Sequence, residues 1–444
     1  MSLLPPLLAS ASETSLRLLL VQLLVIILVA RAGAAVAGRL RQPAVVGEII
    51  AGIVLGPSVF GVLAPDAFAA VFHTAAGATQ ASLDASLTSF AQVGLVLLLF
   101  LVGIEFDYSH IRHQGPVAAG VSVAGVAVPF VLGLGLSGLM APRLEALGAQ
   151  SPIDPRSFAL FLGTAMSITA IPILGRILIE MGLQRTAIGA TVISAAACDD
   201  CIGWTLLAAV AAVATGGFDP TAVVKMVGAT IAFGMFAVFV FRPLVLSRLE
   251  RSITQDGKLP AGALSLVLAA MLVAAWTTSM IGIFAILGAF LLGASLSGSS
   301  KLREAVNAHL MDFVGLFFLP IFFTFTGLRT NIGSLVGVEA WGWCAAVIAV
   351  AVAGKWGGCG IAARLGGLPA REAAAVGVFM NTRALMELIV INVGMDLGVI
   401  PPAVYTMLVL MAIGTTLMAS PLAAHLLRGS QYEATLVETG FLRA

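Results

Sequence analysis

The sequence predicts an all-α polytopic membrane protein of about thirteen transmembrane helices. Of its 444 residues, 59% are hydrophobic and only 10% are charged, and the mean hydropathy is +1.06. A water-exposed domain carries about 25% charged residues, so lipid must face most of this protein's surface. The chain also divides into apolar runs of about 20 residues, the length of helix that spans a hydrocarbon core of ~30 Å.

Each apolar run is predicted to form one helix. The first seven helices lie at 15–38, 43–63, 86–106, 115–140, 157–181, 185–215 and 220–247. Six more lie at 260–280, 282–299, 308–328, 336–365, 370–396 and 401–427. The eighth and ninth are divided at Met280 and Ile281, because their joint run of about 40 residues is too long for one crossing. Residues 1–428 form the predicted transmembrane domain, and 429–444 a short cytoplasmic tail.

The distribution of basic residues predicts the orientation in the membrane. Met1–Thr14 has no basic region ahead of the first apolar run, so we expect a retained helix and not a cleaved signal peptide. Cytoplasmic loops carry the excess of Lys and Arg. With the N-terminus outside, the inner loops and helix ends collect Arg39, Arg41, Arg112, Arg185, Arg248, Arg251, Lys258, Lys301, Arg303, Arg364 and Arg371. The outer side keeps Arg143, Arg156 and Arg329, with Lys225 close by. This predicts a multi-pass cell-membrane protein with its C-terminus in the cytoplasm.

Thirteen spans also predict an internal repeat. Two units of six helices separated by one connecting helix must be inverted relative to each other, which pairs helix 5 with helix 12. Polar and helix-breaking residues interrupt both: Ser167, Thr169 and Pro172 in the first, and Asn381, Thr382, Arg383 and Glu387 in the second. Broken helices in corresponding positions are typical of a transporter's midplane binding site.

An adjacent pair of aspartates, Asp199-Asp200, lies inside the sixth predicted helix. Each carboxylate costs about 2.5–3.5 kcal/mol at mid-membrane on insertion scales, and their mutual repulsion couples the two titrations. Adjacent helical residues point about 100° apart, so each can serve a different partner. The alternative is a helix end displaced into a loop, but apolar residues continue for about ten positions on both sides. We interpret the pair as an ion and proton site.

Lys355 is the expected counter-charge for one of these aspartates. It lies within a long span, towards the predicted inner end. A lysine there can instead snorkel, with its stem along apolar surface and its charge in water. The glycines around it (Gly354, Gly357 and Gly358) favour close packing against another helix, and therefore the pair.

Other polar residues in the spans favour structural roles. Arg383 and Glu387 stand at i and i+4, so an ion pair that stabilises a discontinuous helix is favoured over direct cation coordination. Glu48 and Glu105 lie near predicted helix ends. Cys198 and Cys201 form a C-x-x-C pattern, but it lies within a spanning helix with no nearby histidine, which argues against a metal or redox site.

Several segments together resemble the monovalent cation:proton antiporter superfamily. Val46–Ser58 resembles the signature of its second helix, and Leu99–Asp107 the signature of the next helix. The aspartate pair, with Lys355 roughly 155 positions downstream, is similar to electrogenic Na+/H+ antiporters of the NapA and NhaA kind. Phe379–Val390 resembles the Asn-Thr-Arg-Gly segment of the plant cation/H+ exchangers and the Kef-like branch, with Ala384 in place of the family's glycine.

The resemblance implies an NhaA-like fold: two inverted six-helix repeats with two discontinuous crossing helices. It implies a homodimer, in which a core bundle moves against a dimerisation bundle. Asp200 would bind the cation or the proton and Asp199 would pair with Lys355, while Thr169 and backbone carbonyls at the helix breaks would complete an oxygen shell. The supporting residues would be Arg383, Glu387, Ser167 and Asn381. No cofactor is expected beyond the transported ions.

The cation is expected to be Na+ or Li+. The alternative is a K+/H+ antiporter of the Kef-like branch. Kef-type systems usually carry a nucleotide-binding domain and a Gln-Asp pair, and the sequence has neither, which favours Na+.

Composition and motifs argue against other classes of protein. The net charge of +1 and the absence of a G-x-x-x-x-G-K-[ST] run argue against nucleic-acid binding and ATP-driven transport. A channel needs a continuous polar pore with a filter. Broken helices with a carboxylate pair fit a transporter with alternating access better than they fit a channel. An intramembrane aspartyl protease needs two aspartates on different helices, whereas here they are adjacent. We therefore expect a non-enzymatic antiporter whose partners are a monovalent cation, protons and membrane lipid.

Overall fold

The computed structural model describes residues 11–40, 42–72, 78–105, 115–149, 151–184, 186–216, 220–254, 258–282 and 284–442. Within these ranges every regular element is a helix, which confirms the all-α prediction. Several residues used in the predictions lie outside the described residues, namely Arg41, Phe106, Asp107, Arg112 and Arg185, as do the side chains of Pro172 and Cys201.

The helices are numbered here in chain order. The first ten are α1 (Ala11–Arg39), α2 (Ala44–Leu55), α3 (Phe60–Leu63), α4 (Pro65–Phe72), α5 (Ala78–Glu105), α6 (Gly115–Met140), α7 (Pro155–Ser167), α8 (Ile171–Glu180), α9 (Ala187–Gly216) and α10 (Pro220–Phe236). The others are α11 (Arg242–Ser252), α12 (Ala261–Ile281), α13 (Ala285–Leu296), α14 (Ser300–Phe313), α15 (Leu319–Leu328), α16 (Gly337–Val352), α17 (Gly358–Leu365), α18 (Ala370–Met380), α19 (Leu385–Asp396), α20 (Pro402–Leu426) and α21 (Glu433–Glu438). Single π turns join α10 to α11, α14 to α15 and α16 to α17.

Ten helical stretches among the described residues are long and apolar enough to cross a membrane, and eleven if the bent pair α18–α19 counts as one. The two remaining predicted spans are also helical. One is α7–α8, which is broken, and the other is α13, which has only 12 residues. The count of thirteen spans and the inverted repeat stay predictions.

The chain forms two compact units. The first contains Met1–Leu98 and Asn307–Asn331. Its backbones approach closely at glycines: a Cβ atom on Gly33 would collide with the carbonyl of Gly47, and one on Gly52 with the carbonyl of Thr324. Such contacts are typical of membrane helices, whose association depends on close packing because lipid is as apolar as the helix surface.

The second unit contains Leu99–Val306 and Ile332–Ala444, and it includes both discontinuous helices. In the first of these, α7 ends at Ser167 and α8 begins at Ile171, with a proline in its first turn, where the missing N–H costs nothing. In the second, α18 ends at Met380 and α19 begins at Leu385. Ala384, which stands in place of the family's glycine, has φ −163°, outside the left-handed region that favours glycine.

The segments that flank the spans are also ordered. Asp154 caps α7: its Oδ2 accepts from the backbone N–H and the hydroxyl of Ser157, at 2.9 and 2.8 Å. These bonds lower the pKa of Asp154.

The predicted tail contains α21, whose Leu436 is fully buried, and Gln431 donates to Glu372 Oε1 at 3.3 Å. The C-terminal segment therefore packs within the unit that contains the broken helices.

Candidate functional site

The two broken helices meet at their non-helical segments. The backbone N–H of Ala170 donates to the carbonyl of Thr382 at 3.1 Å, and the hydroxyl of Thr169 lies 3.1 Å from the carbonyl of Met380. Each break interrupts the i to i−4 hydrogen bonds of its own helix and leaves backbone groups unpaired. The crossing supplies partners for some of these groups on both helices. The crossing thus places four helix ends around one point in the second unit.

Asp199 lies at this crossing and accepts three hydrogen bonds. Lys355 Nζ is 2.6 Å from its Oδ2, and both side chains are completely buried. The hydroxyl of Thr169 donates to the same oxygen at 3.0 Å, and the hydroxyl of Ser122 on α6 donates to Oδ1 at 2.7 Å. The structure therefore rejects two alternatives from the sequence: Lys355 does not snorkel, and the aspartate pair lies inside α9 and not in a loop.

Lys355 uses all three of its ammonium hydrogens. Besides Asp199, it donates to the carbonyl of Gly125 at 2.7 Å and to the carbonyl of Ser167 at 2.5 Å. It lies in the π turn Ala353–Gly357, a geometry that often occurs at functional sites. A Cβ atom on Gly125 would lie 2.6 Å from Cys359 Sγ, so position 125 needs glycine for this approach.

Arg383 binds the adjacent end of α7. Its guanidinium donates to the carbonyls of Ala165 and Met166, at 3.0 and 2.5 Å. Because Lys355 takes the carbonyl of Ser167, cationic side chains occupy the last three carbonyls of α7. A helix C-terminus carries partial negative charge and unpaired carbonyls, so these two side chains supply the cap that a buried helix end requires.

Arg383 also forms the expected ion pair with Glu387, at 3.3 Å between Nη1 and Oε2. Its Nε lies 3.4 Å from Asn381 Oδ1, so Asn381 orients the guanidinium. The hydroxyl of Ser167 donates within α7 to Gly163 at 2.7 Å, which means that its carbonyl, and not its side chain, reaches the lysine. The eight residues selected from the sequence are all buried and lie in or beside this crossing. They are Asp199, Asp200, Lys355, Thr169, Ser167, Asn381, Arg383 and Glu387.

Asp200 is the exception in this network. Its side chain is 1% exposed, and its Oδ1 has no hydrogen-bond partner within the described part of the chain. Thr382 Oγ1 and Glu387 Oε1 are likewise buried and without a partner there. Buried polar atoms are nearly always satisfied, so each of these oxygens is a candidate to bind a cation or a proton.

The balance of buried charge points the same way. Among the described residues around the crossing, the completely or almost completely buried acidic side chains are Asp199, Asp200 and Glu387, and the basic ones are Lys355 and Arg383. When all are ionised, three carboxylates face two cations, which leaves one negative charge in excess. Burying an uncompensated charge is costly, and one bound proton or one monovalent cation would neutralise it.

One detail differs from the expected oxygen shell. The carbonyls at the breaks were expected to coordinate a cation, but those of Ser167 and Thr382 accept from protein donors, the ammonium of Lys355 and the backbone N–H of Ala170. The described residues also contain no cluster of three His, Cys, Asp or Glu side chains suited to a metal ion. Among the described residues, the buried side-chain oxygens of this region without a partner are Asp200 Oδ1, Thr382 Oγ1 and Glu387 Oε1.

Sequence reasoning missed three residues of the site. Ser122 and Gly125 lie on α6 at i and i+3, one face of the helix. The hydroxyl of Thr416 on α20 bonds the backbone N–H and carbonyl of Arg383. Small residues recur throughout a chain with 48 glycines, so nothing in the sequence distinguishes these positions.

Comparisons with known proteins show to which family the chain is similar. The model of the transmembrane sodium/hydrogen exchanger family matches residues 23–429. The chain is 39% identical to the Na(+)/H(+) antiporter NhaS4 of Synechocystis over 93% of its length and 98% of that protein. It is 36% identical to cation/H(+) antiporter 20 of Arabidopsis thaliana over 91% of its length, and 30% identical to K(+)/H(+) antiporter 1 of Saccharomyces cerevisiae over 93%. It spans 48% and 46% of those two longer proteins.

A solved structure shows the same fold. The sodium proton antiporter MjNhaP1 of Methanocaldococcus jannaschii superposes with a TM-score of 0.62 over 96% of this chain and 100% of that chain, at 13% identity. At this identity the likeness supports the fold and not the chemistry of the site.

Ser122→Ala tests the network around Asp199. The substitution removes a donor to a buried carboxylate, so we expect a loss of about 1.5–3 kcal/mol of stability. Ser137→Ala on the same helix is the matched control, because that hydroxyl bonds only its own helix, to the carbonyl of Leu134 at 2.7 Å. Thermal unfolding in detergent should show a larger fall for Ser122→Ala, largely restored in Ser122→Thr. Equal midpoints for the two alanine variants would contradict the assigned hydrogen bond.

Proposed function

Because the chain belongs to the sodium/hydrogen exchanger family, we propose that it exchanges a monovalent cation for protons with Asp200 as the carrier carboxylate. The chain is a cation:proton antiporter, a secondary transporter and not an enzyme. The observation that supports this role for Asp200 is its buried Oδ1, which has no partner among the described residues, next to an aspartate that Lys355 already neutralises.

Antiport follows from competition at one carboxylate. Either a proton or the cation neutralises Asp200, and both cannot occupy it together. With neither bound, the crossing holds one uncompensated negative charge, and moving that charge through an apolar environment is costly. The site therefore changes access only when one of the two is bound, which couples the two flows without ATP.

The side chains best placed to share the cation with Asp200 are hydroxyls. Thr382 Oγ1 has no partner in the described residues, and Thr169 Oγ1 keeps its acceptor lone pairs while it donates to Asp199. Asp199 becomes a further ligand when Lys355 releases it. The backbone carbonyls at the breaks join the shell only if they exchange their present donors.

Na+ or Li+ is the proposed cation, and K+ is the alternative. NhaS4, of which the chain covers 98%, is named for Na+, and this supports the first choice. The yeast relative, of which the chain covers 46%, is named for K+. The Asn381-Thr382-Arg383 segment, which resembles Kef-like antiporters, also keeps the alternative open.

The proposed architecture has thirteen spans in two inverted repeats. It counts the broken pair α7–α8 and the short α13 as spans, in addition to the ten helices and the bent pair. Support for the inversion comes from the two discontinuous helices, which cross at their breaks. We place the protein in the cell membrane as a homodimer, with the N-terminus outside, the C-terminus in the cytoplasm and the basic loops inside.

Asp200→Asn tests the carrier. The amide keeps the volume of the carboxylate but neither ionises nor exchanges a proton, so we expect antiport in proteoliposomes to be lost while the protein still folds. Asp396→Asn, at the exposed end of α19, is the matched control and should exchange normally. Near-normal exchange by Asp200→Asn would show that another group carries the ion.

Selectivity distinguishes the two candidate cations. With a pH gradient imposed across proteoliposomes, Na+ and Li+ should dissipate the gradient at a lower concentration than K+ does. Half-maximal concentrations for the three chlorides under the same gradient give the comparison. A clear preference for K+ would assign the chain to the alternative and leave the fold unchanged.

Charge movement tests the role of Lys355. If the cation displaces the protons of both Asp200 and Lys355, two protons exchange for one cation and the cycle is electrogenic. Each unbalanced charge then feels about 2.3 kcal/mol per 100 mV, so an imposed potential should change the rate of transport. If Lys355 keeps its proton, only the proton of Asp200 is exchanged and the cycle is electroneutral.

The measurement is the current on a solid-supported membrane after a jump in Na+ concentration. Wild-type protein should give a transient current. Lys355→Gln leaves Asp199 without its charged partner, so we expect a less stable protein whose residual exchange is electroneutral. A wild type that exchanges cations actively and moves no charge would refute the electrogenic cycle and restrict Lys355 to a structural role.

A further inference from the structure

An apolar groove runs along the π turn that contains Lys355. Its volume is about 610 Å³, and its walls come from the continuous helix Gly337–Leu365 and from α18. Ala353, Trp356 and Gly357, the neighbours of Lys355 in the turn, line the groove. Lys355 does not, because it is completely buried against Asp199. The groove and the candidate site therefore use different residues of one turn.

Small residues on both helices form the walls. A Cβ atom on Gly357 would meet nothing within 4 Å, so the space over this residue is open, and one on Gly360 would make an ordinary contact, 3.4 Å from the carbonyl of Ala373. At the rim, Ile361 is 63% exposed and Leu365 is 83% exposed. In a membrane-spanning helix such exposed aliphatic side chains face lipid, so acyl chains can enter the groove directly.

Arg364 lies at the end of this groove and is exposed. Its Nη1 donates to the carbonyl of Leu368 at 2.9 Å, which holds the guanidinium at the groove's end. Among the residues that the structure describes, no carboxylate forms an ion pair with it. An apolar groove with one uncompensated cation at its end matches a molecule with a long apolar body and an anionic head.

We propose that this groove binds an anionic phospholipid, with an acyl chain along Gly360 and Ala373 and the phosphate on Arg364. A guanidinium matches phosphate geometry and remains ionised, and basic pockets between transmembrane helices are sites of this kind. The apolar walls favour a lipid over a soluble anion, because a free phosphate would contact the arginine alone.

An occupied groove would also brace the candidate site. Trp356 Nε1 donates to the carbonyl of Ala374 at 3.1 Å, and this bond ties the π turn to α18, one half of a discontinuous helix. An acyl chain packed on Trp356 restrains both. This effect on exchange rests on the proposed function, whereas binding of the lipid does not.

Thermal unfolding of the purified protein in detergent measures the binding. Dioctanoyl phosphatidylglycerol should raise the unfolding midpoint in a saturable way. Arg364→Gln should need about five-fold more lipid for half of the effect, since one surface arginine contributes about that factor in attraction to anionic lipid. Arg248→Gln is the matched control, because Arg248 is also exposed and bonds a carbonyl four residues away, at Leu244. It should titrate like the wild type.

Two further arms identify what is bound. Dioctanoyl phosphatidylcholine and inorganic phosphate should each stabilise much less, and Gly360→Leu, which fills the groove, should abolish the phosphatidylglycerol effect. Equal titration of wild type and Arg364→Gln, or equal stabilisation by phosphatidylcholine or by phosphate, would overturn the proposal. If Gly360→Leu does not fold, the exposed Arg364→Gln decides the matter alone.

Proteoliposomes separate this inference from the proposed function. Exchange should be faster with phosphatidylglycerol than with phosphatidylcholine alone, and Arg364→Gln should reduce that difference. Saturable binding in a protein that exchanges no cation would refute the proposed function and leave the lipid site standing. Exchange that is equally fast in both lipids would refute the bracing effect.

Discussion

A buried ion pair, Lys355–Asp199, determines much of the structure around it. The two charges lie 2.6 Å apart with no exposure to solvent. Removing one partner of such a pair costs about 3–5 kcal/mol, because the other charge is then left buried and uncompensated. The lysine also needs two more acceptors, and it finds them in the carbonyls of Gly125 and Ser167. The close approach of α6 and the position of the first helix break both follow from satisfying this one ammonium group.

The second break depends on the first through Arg383. Its guanidinium reaches from the segment between α18 and α19 to the carbonyls that end α7, so a cation on one broken helix caps the other. Glu387 keeps that guanidinium compensated, at 3.3 Å. The breaks are therefore not independent loops: each supplies groups that the other lacks. This mutual dependence explains how irregular backbone persists inside a membrane protein, where water is not available to satisfy it.

The sequence predicted the chemistry of this site better than its geometry. Charged residues inside apolar runs are costly enough to be conspicuous, and Asp199, Asp200 and Lys355 were identified on that ground alone. The polar and proline residues at both breaks likewise located the discontinuous helices to within a few residues. Ser122 and Gly125 could not be found in this way, because a serine and a glycine cost little anywhere in a membrane helix. Their roles come from tertiary contacts that leave no periodic signal.

The span count shows the same limit. Length and hydropathy identify a span only when one helix is long enough, and α13 has 12 residues while α7 and α8 have 13 and 10. Of these, α7 and α8 meet at the candidate site, where unbroken backbone hydrogen bonding is given up for free helix ends. The signals that weaken a segment as a membrane span are thus those that mark it as a candidate for binding.

The arrangement of Lys355 links proton release to the shape of the site. An ammonium that makes three hydrogen bonds holds Asp199, α6 and the end of α7 together. A neutral amine has two hydrogens to donate, so deprotonation must free at least one of these acceptors, and the charge attraction to Asp199 disappears with it. If Asp199 is released, it becomes a ligand for the cation on Asp200; if the carbonyl of Ser167 is released, the end of α7 loses part of its cap. Loss of one proton therefore changes the ligand set in the first case and the packing of a broken helix in the second, and either change links proton release to the shape of the site, as an alternating-access antiporter requires.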